Sequence, residues 1–154
     1  MIWLVVGCGY HFAGRQVIQF PHQARTVCIQ KIVNPSVYSW LDQTIRDFLS
    51  EEIPRRSEAV VVNDTRADLF LSVRIDYIST SQKTKGENDL TLNFEAKVCL
   101  ELIFKDAKGR VLFRTLPVTY AETYASESEQ QQALTKATTE CLRRSLDQLV
   151  KNEF

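Results

Sequence analysis

"LTLNFEAKVCLELIFK", residues 90–105, is the stretch that decides how this chain folds. Leu90, Leu92, Phe94, Ala96, Val98, Leu100, Leu102 and Phe104 take every second position, the period of a strand with one apolar face. So long a strand carries backbone donors and acceptors along both edges and requires a neighbour on each side. Downstream, "KDAKGR" (105–110) supplies a tight turn with Gly109 available for a positive φ, and "VLFRTLPVTY" (111–120) returns as a further strand, giving an antiparallel hairpin. Pro117 lacks an N–H, which puts that strand at a sheet edge or ends it there. Upstream, "EAVVVNDTRADLFLSVRIDYIS" (58–79) alternates as well: Leu69, Leu71, Val73, Ile75 and Tyr77 point one way, Asp68, Ser72, Arg74 and Asp76 the other. The polar "TSQKTKGEND" (80–89) reads as the loop between these two strands.

The flanks change period. "RTVCIQKIVNPS" (25–36) is a β-branched run stopped at Asn34-Pro35, a first strand. In "VYSWLDQTIRDFLSEEIP" (37–54), Val37, Trp40, Leu41, Thr44, Ile45, Phe48 and Leu49 recur at steps of three and four, opposite Asp42, Gln43, Arg46 and Asp47. That is an amphipathic helix, which Pro54 is expected to end. "SESE" places Ser126 and Glu129 at capping-box spacing before a second helix. Its stripe is Ala133, Leu134, Ala137, Thr138, Cys141, Leu142, Ser145, Leu146 and Leu149, with Lys136, Glu140, Arg143, Arg144, Asp147 and Lys151 opposite. Two one-faced helices and a half-buried sheet must bury one another, so the expected fold is α+β. It is a two-layer sandwich in the order β-α-β-β-β-α, an antiparallel sheet of about four strands, mixed at the edge, on two helices. The open face of the sheet then carries Arg74, Asp76, Glu95, Lys97 and Glu101.

At 154 residues and 44% apolar content, the chain is the size of one ordinary domain with a real core. Lys plus Arg and Asp plus Glu both count 19, so no overall field favours a polyanion and nucleic acid is not an expected partner. No apolar run reaches the roughly 20 residues of a membrane-spanning helix. Cys8, Cys28, Cys99 and Cys141 show neither CxxC nor zinc-ribbon spacing, and Cys8 with His11 offers two donors where a zinc site needs about four; no metal is expected. Cys141 lies in a helix stripe and reads as a small hydrophobe, while a Cys28–Cys99 bridge would need their strands to be neighbours. There is no GxSxG, HExxH or glycine-rich phosphate loop, and an enzyme is not expected.

The opening "MIWLVVGCGYHFAG" (1–14) leaves two readings level on the residues alone. Either "IWLVVG" is a first strand, or Val5-Val6-Gly7-Cys8 is a lipoprotein cleavage motif, in which a small residue precedes an acylated cysteine. The second reading lacks a Lys or Arg before Cys8 and has a shorter apolar run than a full export signal, as a start codon placed too late would produce.

Taken together, "CGYHFAG", the strand entering "KIVNPS", the amphipathic helix, "ADLFLSVRIDYIS", the long alternating strand, "DAKGRVLFR" and the closing helix resemble the lipopolysaccharide-assembly lipoproteins, the LptE-like family. The resemblance runs from Cys8 to the C-terminus. It implies that residues 1–7 are a signal-peptide remnant, that Cys8 is the diacylglycerol-bearing, N-acylated mature terminus and the only cofactor-like group, that residues 8–24 are a tether and that 25–154 form the domain. It further implies an outer-membrane, periplasm-facing lipoprotein that plugs and assists an LptD-like β-barrel translocon and contacts lipopolysaccharide. A lipoprotein of the same fold binding another protein or amphiphile is the alternative. Lys83 and Lys85 in one loop, and Lys105, Lys108 and Arg110 around the hairpin turn, are the candidate partners for lipid A phosphates, although turn lysines are commonly just solvated.

Overall fold

The structure is a computed structural model that describes residues 16–84 and 92–150. Its elements are β1 (Thr26–Val33), α1 (Trp40–Arg56), β2 (Val60–Val61), β3 (Leu69–Thr84), β4 (Leu92–Lys105), β5 (Val111–Arg114), β6 (Val118–Tyr124) and α2 (Gln130–Asp147). The sheet runs β2-β1-β3-β4-β5, with β6 also paired to β4. Six strands replace the expected four, within the expected α+β architecture of one sheet against two helices.

β4 has its neighbour on each side. β3 pairs it along one edge, from Phe70↔Lys105 to Thr84↔Leu92. The other edge is shared: β5 takes Ile103–Lys105 and β6 takes Phe94–Leu100. The segment 111–120 is therefore two strands rather than one, parted at Thr115–Pro117 where the proline has no hydrogen to give the ladder. Thr115 bridges the gap: its N–H donates to Leu102 O at 3.0 Å, and its hydroxyl accepts from Leu102 N at 2.9 Å. Gly109 adopts φ +81° in the β4–β5 turn, as the tight turn requires.

β1 lies parallel to both β2 and β3, which makes the sheet mixed at that edge. The carboxylate of Asp68 accepts from Arg25 N (3.0 Å) and Thr26 N (3.2 Å), while Thr26 Oγ1 accepts from Asp68 N (2.9 Å), so the starts of β1 and β3 are pinned together. Asn34 turns β1 into α1. Its Oδ1 accepts from Ser36 N, and its Nδ2 donates to Tyr38 O and to Asp42 Oδ1.

Leu41, Ile45, Leu49 and Ile53 of α1 are fully buried, but Val37 stands before the helix and is 89% exposed. The helix also continues through Pro54 to Arg56. In the last turn a proline removes a single backbone hydrogen bond, too little to stop the helix at once. The α2 stripe is buried at every position read for it, Leu149 included. The capping box is not formed. Ser126 caps no N–H with its side chain, Glu129 Oε2 accepts from Ala125 N at 2.9 Å, and a short 3₁₀ turn, Glu127–Glu129, leads into α2.

Two further corrections fall on β3. It extends to Thr84, so residues 80–84 are strand rather than loop. Its register slips between Ile75 and Tyr77, and the extra residue reverses the alternation. Tyr77 is consequently 44% exposed, and Ile78 packs against the core in its place.

Candidate functional site

The open face of the sheet carries a charge cluster assembled by strand register. Arg74 of β3 stands opposite Glu101 of β4, and Ile103 of β4 opposite Arg114 of β5. Arg74 Nη2 lies 3.0 Å from Glu101 Oε1 and 3.1 Å from Asp76 Oδ1; Arg114 Nη1 approaches Glu101 Oε1 at 3.7 Å. Glu101 is only 2% exposed, so two guanidiniums neutralise a buried carboxylate, by charge rather than by an aligned hydrogen bond at Oε1. Of these groups Arg114 escaped the reading of the sequence. Its alternation with Phe113 in "VLFR" was the available signal, but its partner depends on which strand lies beside β5. Further along, Glu95 meets Lys83 and, at 3.5 Å, Lys97. The hydrogen bond from Lys83 holds the Glu95 carboxyl below the usual carboxylate range.

The candidate phosphate partners do not form one group. Lys83 pairs with Asn93 at one end of the β3–β4 ribbon, and Lys105 with Phe70 at the other. Twelve residues of strand at about 3.3 Å each separate Asn93 from Lys105, about 40 Å, beyond the span of a single headgroup. Lys83 is also committed to Glu95. Lys85 lies outside the described residues, as do Cys8 and His11. Around the hairpin turn, Asp106 accepts from Arg110 N (2.9 Å), Arg110 Nε (2.8 Å) and Lys108 N (2.9 Å). These bonds, led by the Arg110 backbone, lower the Asp106 pKa. Arg110 is thereby tied to a carboxylate, and Lys105 and Lys108 are the turn cations without a carboxylate partner among the described residues.

Cys28, Cys99 and Cys141 are all free thiols. β3 lies between the strands of Cys28 and Cys99, which register with Phe70 and Tyr77 respectively, so the two cannot bridge. Cys141 donates to Val98 O at 3.3 Å, and burial pushes its thiol up to about 12.

The segment preceding β1 is packed rather than free. Ile18 and Phe20 are 2% and 4% exposed, and Phe20 tilts against Phe104 with ring centroids 5.7 Å apart. Ile18 N donates to Arg56 O, and Arg56 Nε donates to Gln16 O. Whatever serves as tether therefore ends before Ile18. The turn Pro21–Gln23 holds His22 and Gln23 at positive φ and borders an open groove of about 880 Å³, with Val17, Ser57, Ala59 and Leu112 among its walls. Among the described residues no three His, Cys, Asp or Glu side chains gather as a metal-binding group, and no helix is long and apolar enough to cross a membrane.

The model of the LptE family, described as lipopolysaccharide-assembly, matches residues 24–151. No curated protein matches by sequence. Among solved structures, the chain is similar to the PelC dodecamer of Paraburkholderia phytofirmans: TM-score 0.58 and 15% identity, over 90% of this chain and 96% of that one. It is also similar to an uncharacterized lipoprotein B from Nitrosomonas europaea, with TM-score 0.51 and 15% identity over 98% and 89% of the two chains. At such identities these likenesses concern the fold alone. The family match, by contrast, spans the whole sandwich from the start of β1 past the end of α2, and the chain accordingly belongs to the LptE family of lipopolysaccharide-assembly lipoproteins.

Proposed function

We propose that this protein is held by an acylated Cys8 on the periplasmic face of the outer membrane and seats within the lumen of an LptD-like β-barrel, where it assists lipopolysaccharide insertion. The observation that carries the reading is the open sheet face. Arg74, Asp76, Glu101 and Arg114 make a polar surface of balanced charge over a core closed by the helices. A wide barrel lumen is lined by polar groups, and a filler must offer hydrogen-bonding partners without a net charge that the wall would have to neutralise. Lipopolysaccharide contact is assigned to Lys105 and Lys108, with Arg110 beside them, because these cations sit together at one end of the ribbon. One acyl chain anchors only marginally, whereas the several on a lipoprotein cysteine hold durably.

Reversal of charge tests the seating. With Arg74→Glu, Arg114→Glu and Glu101→Gln combined, the last so that no buried carboxylate is left facing like charge, the barrel should no longer co-purify with a protein that still melts cooperatively, while Lys136→Glu on the helix layer should leave the complex intact. Equal recovery of the barrel from both would overturn the reading. Replacing Lys105, Lys108 and Arg110 with Ser should weaken lipopolysaccharide binding without changing thermal stability, and intact mass from a Gram-negative host reads acylation of Cys8 directly.

A further inference from the structure

The fold leaves one long strand edge unpaired. β4 holds one side of β3 as far as Thr84↔Leu92, but β1 leaves the other side at Val33↔Arg74. Among the described residues no strand and no loop backbone takes that second edge from Asp76 to Thr84, so every second residue there turns its N–H and C=O outward without a partner strand. Unused edges are commonly kept from pairing by proline, by a bulge or by charge. From Tyr77 to Gln82 this edge has none of these: the residues are Tyr-Ile-Ser-Thr-Ser-Gln, and the bulge lies before them, between Ile75 and Tyr77. The charges that bound the stretch are neutralised within the chain, Asp76 by Arg74 at 3.1 Å and Lys83 by Glu95.

The free edge is complementary to a second copy of itself. Two antiparallel copies of β3 in one continuous sheet are related by a two-fold axis, and residues that stand opposite each other must face the same side of the sheet. The axis must therefore set one residue against its own copy. Centred on Ser79, it would bring Thr84 of the second copy against Arg74, where β1 already lies; centred on Ser81, it would leave Asp76 and Tyr77 unpaired. Centred on Thr80, it pairs the whole of Asp76–Thr84: Thr80 with Thr80, Ser79 with Ser81, Ile78 with Gln82 and Tyr77 with Lys83. No like charges meet in this register, the hydroxyl pairs can hydrogen-bond, and the ring of Tyr77 meets the stem of Lys83. We propose that the free protein forms a two-fold dimer through antiparallel pairing of β3 with β3 of a second copy, centred on Thr80. The inference rests on this edge alone and needs neither acylation of Cys8 nor the barrel.

The test uses the full chain with Cys8→Ser, which cannot be acylated, in analytical ultracentrifugation. Its mass should rise with concentration from one chain toward two. Adding Thr80→Lys sets two lysines face to face and should weaken the dimer by about fivefold or more, as should Thr80→Glu, whereas an equimolar mixture of the two variants should pair at least as tightly as the parent. Leu116→Lys, 75% exposed in the β5–β6 connection, should leave the dimer unchanged. Register is read by cross-linking in a chain that also carries Cys28→Ser. There Thr80→Cys should yield a disulfide-linked dimer on oxidation with copper phenanthroline, because opposed residues of antiparallel strands hold their Cα atoms about 4.5–5.5 Å apart. Gln82→Cys should not, since its two copies would stand about 13 Å apart along the strands. All variants should melt with the parent. A single-chain mass at every concentration would overturn the proposal, as would a dimer indifferent to Thr80→Lys or one cross-linked by Gln82→Cys in place of Thr80→Cys. Loss of barrel co-purification by Thr80→Lys, with the free chain single throughout, would overturn it too and assign the edge to a strand of the barrel.

Discussion

Leu100→Ala tests the facing of the long strand. Leu100 is completely buried in the middle of β4, between Ile75 of β3 and Val118 of β6, on the face covered by the helices. Hydrogen-bonded strands on both sides prevent the backbone from closing the space left by the lost side chain. The cost therefore belongs in the upper half of the range for such truncations, about 4 kcal/mol. For a domain of this size each kcal/mol moves the midpoint by about 2–4 °C, so the melting temperature should fall by about 8–16 °C. Circular dichroism melts and urea titration of wild type, Leu100→Ala and Lys97→Ala measure it. Lys97 is a half-exposed neighbour on the other face, whose truncation should stay within about 0.5 kcal/mol. Leu100→Asp adds an uncompensated buried charge and should leave no folded protein at neutral pH. If Leu100→Ala melts with wild type while Cys99→Ala takes the large loss, the strand faces the other way and the sandwich is wrongly assembled.

Arg56→Ala removes the group that joins Gln16, α1 and Asp147, and should cost about 2–3 kcal/mol and open the N-terminal segment to limited proteolysis before global unfolding. Gly109→Ala meets no atom within 4 Å, so only its positive φ opposes it; urea denaturation should show a loss of about 1 kcal/mol. The Cys141 thiol, raised from 9.0 to about 12 by burial, keeps its proton in the folded state after the unfolded chain has lost it. Its contribution is therefore intact below pH 9 and declines as pH rises toward 12, so stability should fall over that window less steeply in Cys141→Ala than in wild type. In a Cys8→Ser chain, native thiol titration near neutral pH should label the partly exposed Cys28 first and Cys141 last of the three described thiols.

Much of the sandwich was legible because its period signals are long. Eight alternating positions in 90–105 and nine in the α2 stripe leave only one way to bury an apolar face; Leu90 lies outside the described residues, but Ala96, Val98, Leu100, Leu102, Phe104 and all nine of the stripe are buried that way, with Phe94 packed against them. Tyr77 was misplaced because a bulge is a property of the ladder between two strands and leaves no mark in the composition of either. Ile18 and Phe20 were assigned to a tether because a short segment before a proline turn has no period to read; their burial comes from Arg56 and Phe104, far along the chain. For the charged face, outward Arg74 and Glu101 followed from alternation. Their meeting with Arg114 did not, since it depends on β5 filling the last positions beside β4. The candidate phosphate cluster suffered in the same way: lysines at strand ends are visible in the text, but which ends lie together is not.

What the amino-acid order determined by itself, then, was local: which segments are strands, which are helices, and which side of each is apolar, because backbone geometry imposes periods of two and 3.6 on any chain. What tertiary structure alone decided was adjacency. The parallel β1 between β2 and β3, the sharing of β4 between β5 and β6, the sealing of Glu101 between two arginines and the packing of Phe20 on Phe104 all join residues distant in sequence. Such contacts form only when the strands pair, since no local interaction holds those residues near one another beforehand.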